Sequence, residues 1–160
     1  MEHEAAIRLF FYAGIFAVMA WFETRAPRRR LTTAKSRRWT NNIGVTFLNT
    51  MLLRLLCPVT AVGTAWFAAE RGLGLFNNTP LPAFLEGCIA VVLLAMLLYA
   101  QHVLFHLYPP LGRLHMMHHA DLDIDVTTGA LIHTVEIILS MLIKMAAVLF
   151  LGAPAWSVVA

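Results

Sequence analysis

Reading only hydrophobic and polar positions, the chain consists of four long apolar runs separated by short polar stretches. The first run covers about Ile7 to Phe22 and is uncharged after Arg8, whose long stem can carry its charge to an interface. The second spans about Ile43 to Ala69 and is interrupted by Arg54 and Pro58; the third spans about Gly87 to Tyr108. The fourth extends from about Ile137 to Val159, with Lys144 inside it. Each approaches the roughly 20 residues that a helix needs to cross a bilayer core. Lipid cannot satisfy backbone polar groups, so a spanning segment of this kind must be a helix. The pattern predicts an all-α fold: a multi-pass transmembrane bundle of about four helices, forming one membrane domain over residues 1–160.

Composition strengthens that picture. The chain is 59% hydrophobic and only 13% charged, against about 45–50% and about 25% in soluble domains. A soluble chain of this length would have to bury nearly all of that apolar surface in one small core, with too little polar surface left to cover it.

Seven of the twelve basic residues lie between Arg25 and Arg38. A basic run between two apolar segments reads as a cytoplasmic loop at a lipid surface. Nucleic acid is excluded as a partner because no broad basic face accompanies the run. Parity then places residues 23–42 inside, the N-terminus outside and the Arg71–Pro82 connection outside. Residues 109–133 return to the cytoplasmic face. The expected location is a membrane crossed several times, with residues 109–133 on its cytoplasmic side.

The acidic N-terminus lacks a signal-peptide pattern, so the first run is expected to be a retained anchor. Cys57 and Cys88 form no CxxC pair and read as inert buried thiols. Arg54 and Lys144 would each cost about 2.5–3.5 kcal/mol at mid-membrane. Either they snorkel or sit at a kink, for which Pro58 is a candidate, or they face inward toward Glu136 or a polar substrate group.

The chemistry is concentrated in the histidines. Five of the seven fall between positions 102 and 119, where even scatter would place fewer than one. His102 and His106 form HxxxH at the end of the third run, which sets both imidazoles on one helix face. Pro109 and Pro110 break that helix, and Gly112 lets the chain turn. His115, His118 and His119 follow as HxxHH, whose offsets align all three on one face if the segment is helical. Two such faces can converge on one point, so His102, His106, His115, His118 and His119 are the expected metal ligands.

Imidazoles without thiolates suit iron, zinc or copper. A lone interfacial histidine would be read as a headgroup or water contact, but five in two aligned boxes favour metal. HExxH is absent, which removes the zinc-protease reading. Asp121, Asp123 and Asp125 read either as acceptors that orient imidazole N–H groups, with Asp121 also a candidate further ligand, or as solvated loop carboxylates. His133 and Glu136 open the fourth run. They are candidates for a further ligand or a supporting hydrogen bond, or in the case of Glu136 for an ordinary helix-dipole partner.

The run from Gln101 to Glu136 carries HVLFH, then LHMMHHADLDIDVTTG, then IHTVE. It resembles bacterial members of the fatty acid hydroxylase/sterol desaturase superfamily, which implies a bacterial inner membrane, and less sharply the resemblance extends over most of the chain. The resemblance implies an integral membrane protein with two non-haem irons bound by clustered histidines near the cytoplasmic face. Zinc could replace the iron on purification. It also implies O2-dependent hydroxylation or desaturation of a membrane lipid substrate, fatty acyl or sterol-like, with electrons from an external donor. Two positions depart from the family pattern. His133 is followed by Thr134 where a proline is common, and no histidine follows His133, so the third histidine box is missing. The chain is therefore expected to be the N-terminal part of such a domain, with an incomplete site. One rival is a histidine-rich membrane metal-binding or metal-transport protein, which would need ligands nearer mid-bilayer. A haem cytochrome would use single axial histidines spread over its helices.

Overall fold

The computed structural model describes residues 4–27 and 30–159, with side chains from residue 9 onward; His3, Arg28 and Arg29 lie outside the described residues. Every regular element among them is helical. The helices are α1 (Glu4–Arg25), α2 (Lys35–Leu56), α3 (Ala61–Arg71), α4 (Ala83–Leu107), α5 (Pro109–His115), α6 (Thr134–Leu151) and α7 (Ala155–Val159). Short 3-10 turns occupy Phe76–Asn78 and Thr128–Ala130.

Three stretches are long and apolar enough to cross a membrane: Lys35–Asn78, which holds α2 and α3, then Ala83–Leu107 and Thr134–Leu151. Only 11%, 17% and 17% of their most apolar windows are buried. Meanwhile Phe47, Phe84, Tyr99 and Phe150 are each more than two-thirds exposed. The buried set, by contrast, includes Asn49, Thr64, Glu136 and Ser157. Greasy faces turned outward over a partly polar interior are stable against lipid and costly against water.

Two of the expected runs are divided. In the second, Pro58 lacks a backbone N–H, and the chain leaves helix after Leu56; Thr60 then caps α3 by accepting from the Gly63 N–H at 3.2 Å. The expected kink is a full break. In the fourth, α6 ends at Gly152, which takes the left-handed conformation (φ 65°) that favours glycine, and Pro154 precedes α7.

The chain forms two compact units, Met1–Phe47 with Met117–Ile132, and Leu48–Met116 with His133–Ala160. In the second unit, α3, α4, α6 and α7 pack around Ala61, Ala65, Phe76, Ala90, Leu94, Val148, Ala153 and Val158. Four of these eight are alanines, and small residues let helices approach closely where lipid offers no hydrophobic drive. Gly87 carries this furthest: a Cβ there would fall inside the Trp156 ring.

The first unit is organised by a polar knot rather than an apolar core. Arg38, 7% exposed, donates through Nε to Asp121 at 3.0 Å and through Nη2 to Asp125 at 2.7 Å and to the Asp123 carbonyl. Trp39 Nε1 donates to Asp125 at 3.0 Å, and Asn42 reaches Asp121 and Thr127 at 3.3 and 2.9 Å. Glu23, near the end of α1, accepts from the Val126 N–H at 2.7 Å.

Candidate metal centre

Three histidines meet within the second unit. His102 and His106 sit one turn apart near the end of α4, with their Nε2 atoms 3.2 Å apart. Tyr108 is extended (φ −97°, ψ 111°), as a residue before proline tends to be. Pro109 and Pro110 then occupy the first turn of α5, where a missing N–H costs nothing. Pro-Pro-Leu-Gly is thus the start of a helix rather than a turn, and the reversal falls at Tyr108. Gly112 contributes closeness: a Cβ there would sit 3.2 Å from the Phe105 carbonyl oxygen. α5 therefore packs tightly on α4 and delivers His115 as its last residue.

The three rings stand nearly perpendicular to one another, with centroids 4.7–4.8 Å apart. One ligand atom from each lies within 4.8 Å of the others, so the group could hold a metal ion. With metal–nitrogen bonds of about 2.0–2.1 Å, neighbouring ligands of a tetrahedral ion stand about 3.3 Å apart. The His102–His106 separation of 3.2 Å already matches that edge.

His115 is held differently from the other two. It is 4% exposed, its Nδ1 lies 2.8 Å from Glu136 Oε1, and Phe105 packs on its ring at 5.8 Å. A carboxylate on Nδ1–H selects the tautomer whose lone pair is on Nε2 and raises its basicity, the usual support for a ligating imidazole. Glu136 is itself buried, and its Oε2 has no hydrogen-bond partner among the described residues. A buried carboxylate is expensive without a compensating positive charge, and a cation bound beside His115 would supply one. Three imidazoles and a supporting carboxylate therefore fit a divalent transition metal, iron included.

His133 caps α6, its Nδ1 accepting from the Val135 N–H at 3.1 Å. Lys144 donates to the Val158 carbonyl at 3.4 Å, and Arg54 is exposed. Glu136 is engaged by His115 rather than by either of those cations.

The HxxHH segment is not a single helical face. α5 ends at His115, and residues 116–119 form a turn. His118 and His119, in the first unit, pack ring to edge at 5.2 Å. His118 Nδ1 donates to the Leu131 carbonyl at 3.3 Å, which again leaves the lone pair on Nε2.

The aspartates, among the described residues, are engaged in the polar knot rather than solvated in an open loop. Asp121 and Asp125 hold Arg38, while Asp123 accepts from the Thr32 N–H, the Thr32 hydroxyl and the Thr33 N–H at 2.8, 2.8 and 3.0 Å. Burial alone would raise the Asp121 pKa. It is outweighed by hydrogen bonds from Thr128, the Asp123 N–H and Asn42 and by the Arg38 charge, so the carboxyl titrates below its ordinary range. Asp123 is lowered in the same sense, with burial overcome by Thr32, Thr33 and Arg38. In sequence, Arg38 is one more charge in the basic run. Its partners lie 83 or more residues away, where no local pattern points.

No family model, curated protein or solved structure matches the chain.

Proposed function

We propose that the chain is a membrane-bound non-haem iron oxygenase of lipid C–H bonds, of the fatty acid hydroxylase/sterol desaturase type. The observation that carries this is the His102–His106–His115 cluster backed by Glu136 at the end of an apolar helix. It is supported by the motif in which those residues stand. When bound, iron would couple the reduction of O2 to hydrogen removal from an unactivated carbon, using electrons from an external donor.

The residues divide that task. His102 and His106, both exposed, would bind metal on the open side, where a lipid chain and O2 arrive. His115 would bind from the buried side, its ring held by Glu136 and Phe105 so that Nε2 keeps its aim. The sequence motif assigns His118 and His119 to the same iron chemistry, and the tautomer of His118 suits a ligand. In the proposed topology α1 is a fourth crossing and the metal centre lies on the cytoplasmic face.

The test is metal analysis and O2 consumption on the full chain in lipid nanodiscs, supplied with ferrous iron, a reductant and membrane lipid. Iron should be bound, and His102→Ala, His106→Ala and His115→Ala should each lower it. O2 uptake should yield oxidised lipid once a segment carrying a further histidine box is supplied to complete the ligand set. Metal content unaffected by all three substitutions would remove the centre. Binding without lipid oxidation even then would favour a metal-handling membrane protein.

A further inference from the structure

The segment that binds Arg38 has a second face. Asp121, Asp123 and Asp125 turn inward, and the two residues between them turn out: Leu122 is 73% exposed and Ile124 is 81% exposed. No other large hydrophobic residue among those described is as exposed as Ile124. Arg38 fixes the level at which these side chains project, because it lies in the first turn of α2. Over Lys35–Asn42 that helix is polar, and from Ile43 it is apolar. A membrane-crossing α2 therefore enters lipid at about this height.

The surroundings have the charge that such a boundary calls for. Arg25, Arg30 and Arg37 are exposed, as are Leu31 and Trp21. Ile124 and Leu31 also share the wall of a crevice of about 560 Å³ with Ala26, Pro27 and Lys35, and with the acidic Glu23, Asp123 and Asp125, which are engaged by Lys35, the Thr32–Thr33 segment and Arg38. Arg25, Arg30 and Arg37 are each adjacent in sequence to a residue that lines this crevice, and apolar side chains with neighbouring cations are the composition of a surface that lies in the headgroup layer.

We infer that Leu122 and Ile124 insert into the headgroup–acyl boundary of an anionic leaflet, held there by Arg25, Arg30 and Arg37. The aspartates allow this: Asp121 and Asp125 are paired with Arg38, and the Asp123 carboxylate accepts from Thr32 and Thr33, so their charges are already engaged within the protein. The inference rests on α2 crossing the membrane and is independent of any metal at the histidine cluster.

The test uses nitroxide labels at Leu122→Cys and Ile124→Cys in the full chain, with Cys57→Ser and Cys88→Ser to remove the native thiols. The chain is placed in vesicles of phosphatidylcholine with phosphatidylglycerol. Retained helical circular dichroism identifies folded samples, and Leu31→Cys supplies a second reporter if either loop variant fails to fold. Relaxation by O2 should exceed relaxation by a water-soluble nickel complex at both loop positions. Replacing phosphatidylglycerol by phosphatidylcholine should shift the balance toward nickel. Neutralising one arginine, as in Arg30→Gln, should shift the inserted-to-withdrawn ratio about fivefold. Nickel-dominated relaxation at both positions in anionic vesicles would overturn the inference and leave the face to a soluble protein partner. Insertion indifferent to lipid charge would overturn the role given to the arginines.

Discussion

Removing the carboxylate behind His115 should loosen the metal without unfolding the helix that carries it. Glu136 acts in two ways, and their magnitudes differ enough to separate. It stands in the first turn of α6, three residues after the cap His133, where a negative charge meets the positive end of the helix dipole. That contribution is about 0.3–1 kcal/mol. It also accepts from His115 Nδ1 at 2.8 Å between two side chains that are 5% and 10% exposed. Losing such support for a ligating imidazole costs about 10- to 100-fold in metal affinity, or about 1.4–2.7 kcal/mol.

Glu136→Gln keeps the volume and an oxygen that can accept the Nδ1–H, so its loss should lie near tenfold. Glu136→Leu removes the acceptor and frees the ring to change tautomer, so its loss should approach 100-fold. The assay is competition for cobalt or zinc against a chelator of known affinity, with thermal unfolding of the metal-free proteins in parallel. Glu136→Gln should unfold close to wild type, Glu136→Leu should be about 1–3 kcal/mol less stable through the unpaired His115 N–H, and both should bind more weakly than that loss explains. Equal affinities in all three proteins would refute the reasoning. So would a loss that metal-free instability fully accounts for.

Further outcomes follow from the polar knot and the helix packing. Arg38→Met leaves the carboxylates of Asp121 and Asp125 buried without their cation and should destabilise the first unit by about 3–5 kcal/mol. Hydrogen exchange at residues 121–128 should rise in that variant while exchange in α4 does not. The Asp121 and Asp123 carboxyls titrate lower folded than unfolded, so the stability they confer is complete above the ordinary aspartate pKa of about 3.9. It should drain away as pH falls through their lowered folded values, and the same amides should open below about pH 4 while staying protected at neutral pH. Gly87→Ala drives a methyl into the Trp156 ring and should cost about 1–3 kcal/mol in thermal stability, with a changed Trp156 fluorescence.

What the sequence determined by itself is what local chemistry dictates. The length and apolarity of the runs made the chain helical, with three stretches long and apolar enough to cross a membrane. The offset of four put His102 and His106 on one face, and the prolines after Tyr108 ended α4. Pro58 announced a disturbance in the second run, whereas Gly152 did not, because Gly-Ala-Pro inside an apolar run leaves the hydrophobic pattern unchanged.

Tertiary structure decided the rest. His115 joins the pair only because α5 folds back on α4 over Gly112, and Glu136 reaches it from a helix that begins nineteen residues further on. The HxxHH spacing suggested one face, but α5 stops at its first histidine. The aspartates read equally well as ligand supports or as solvated carboxylates until Arg38 was placed among them. A buried guanidinium must find its countercharges wherever the fold provides them, and these lie 83 and 87 residues away. Periodicity reports which side chains share a face of one helix. Which faces meet is fixed by the burial of charge and the close fit of glycines, and neither is written at any one place in the chain.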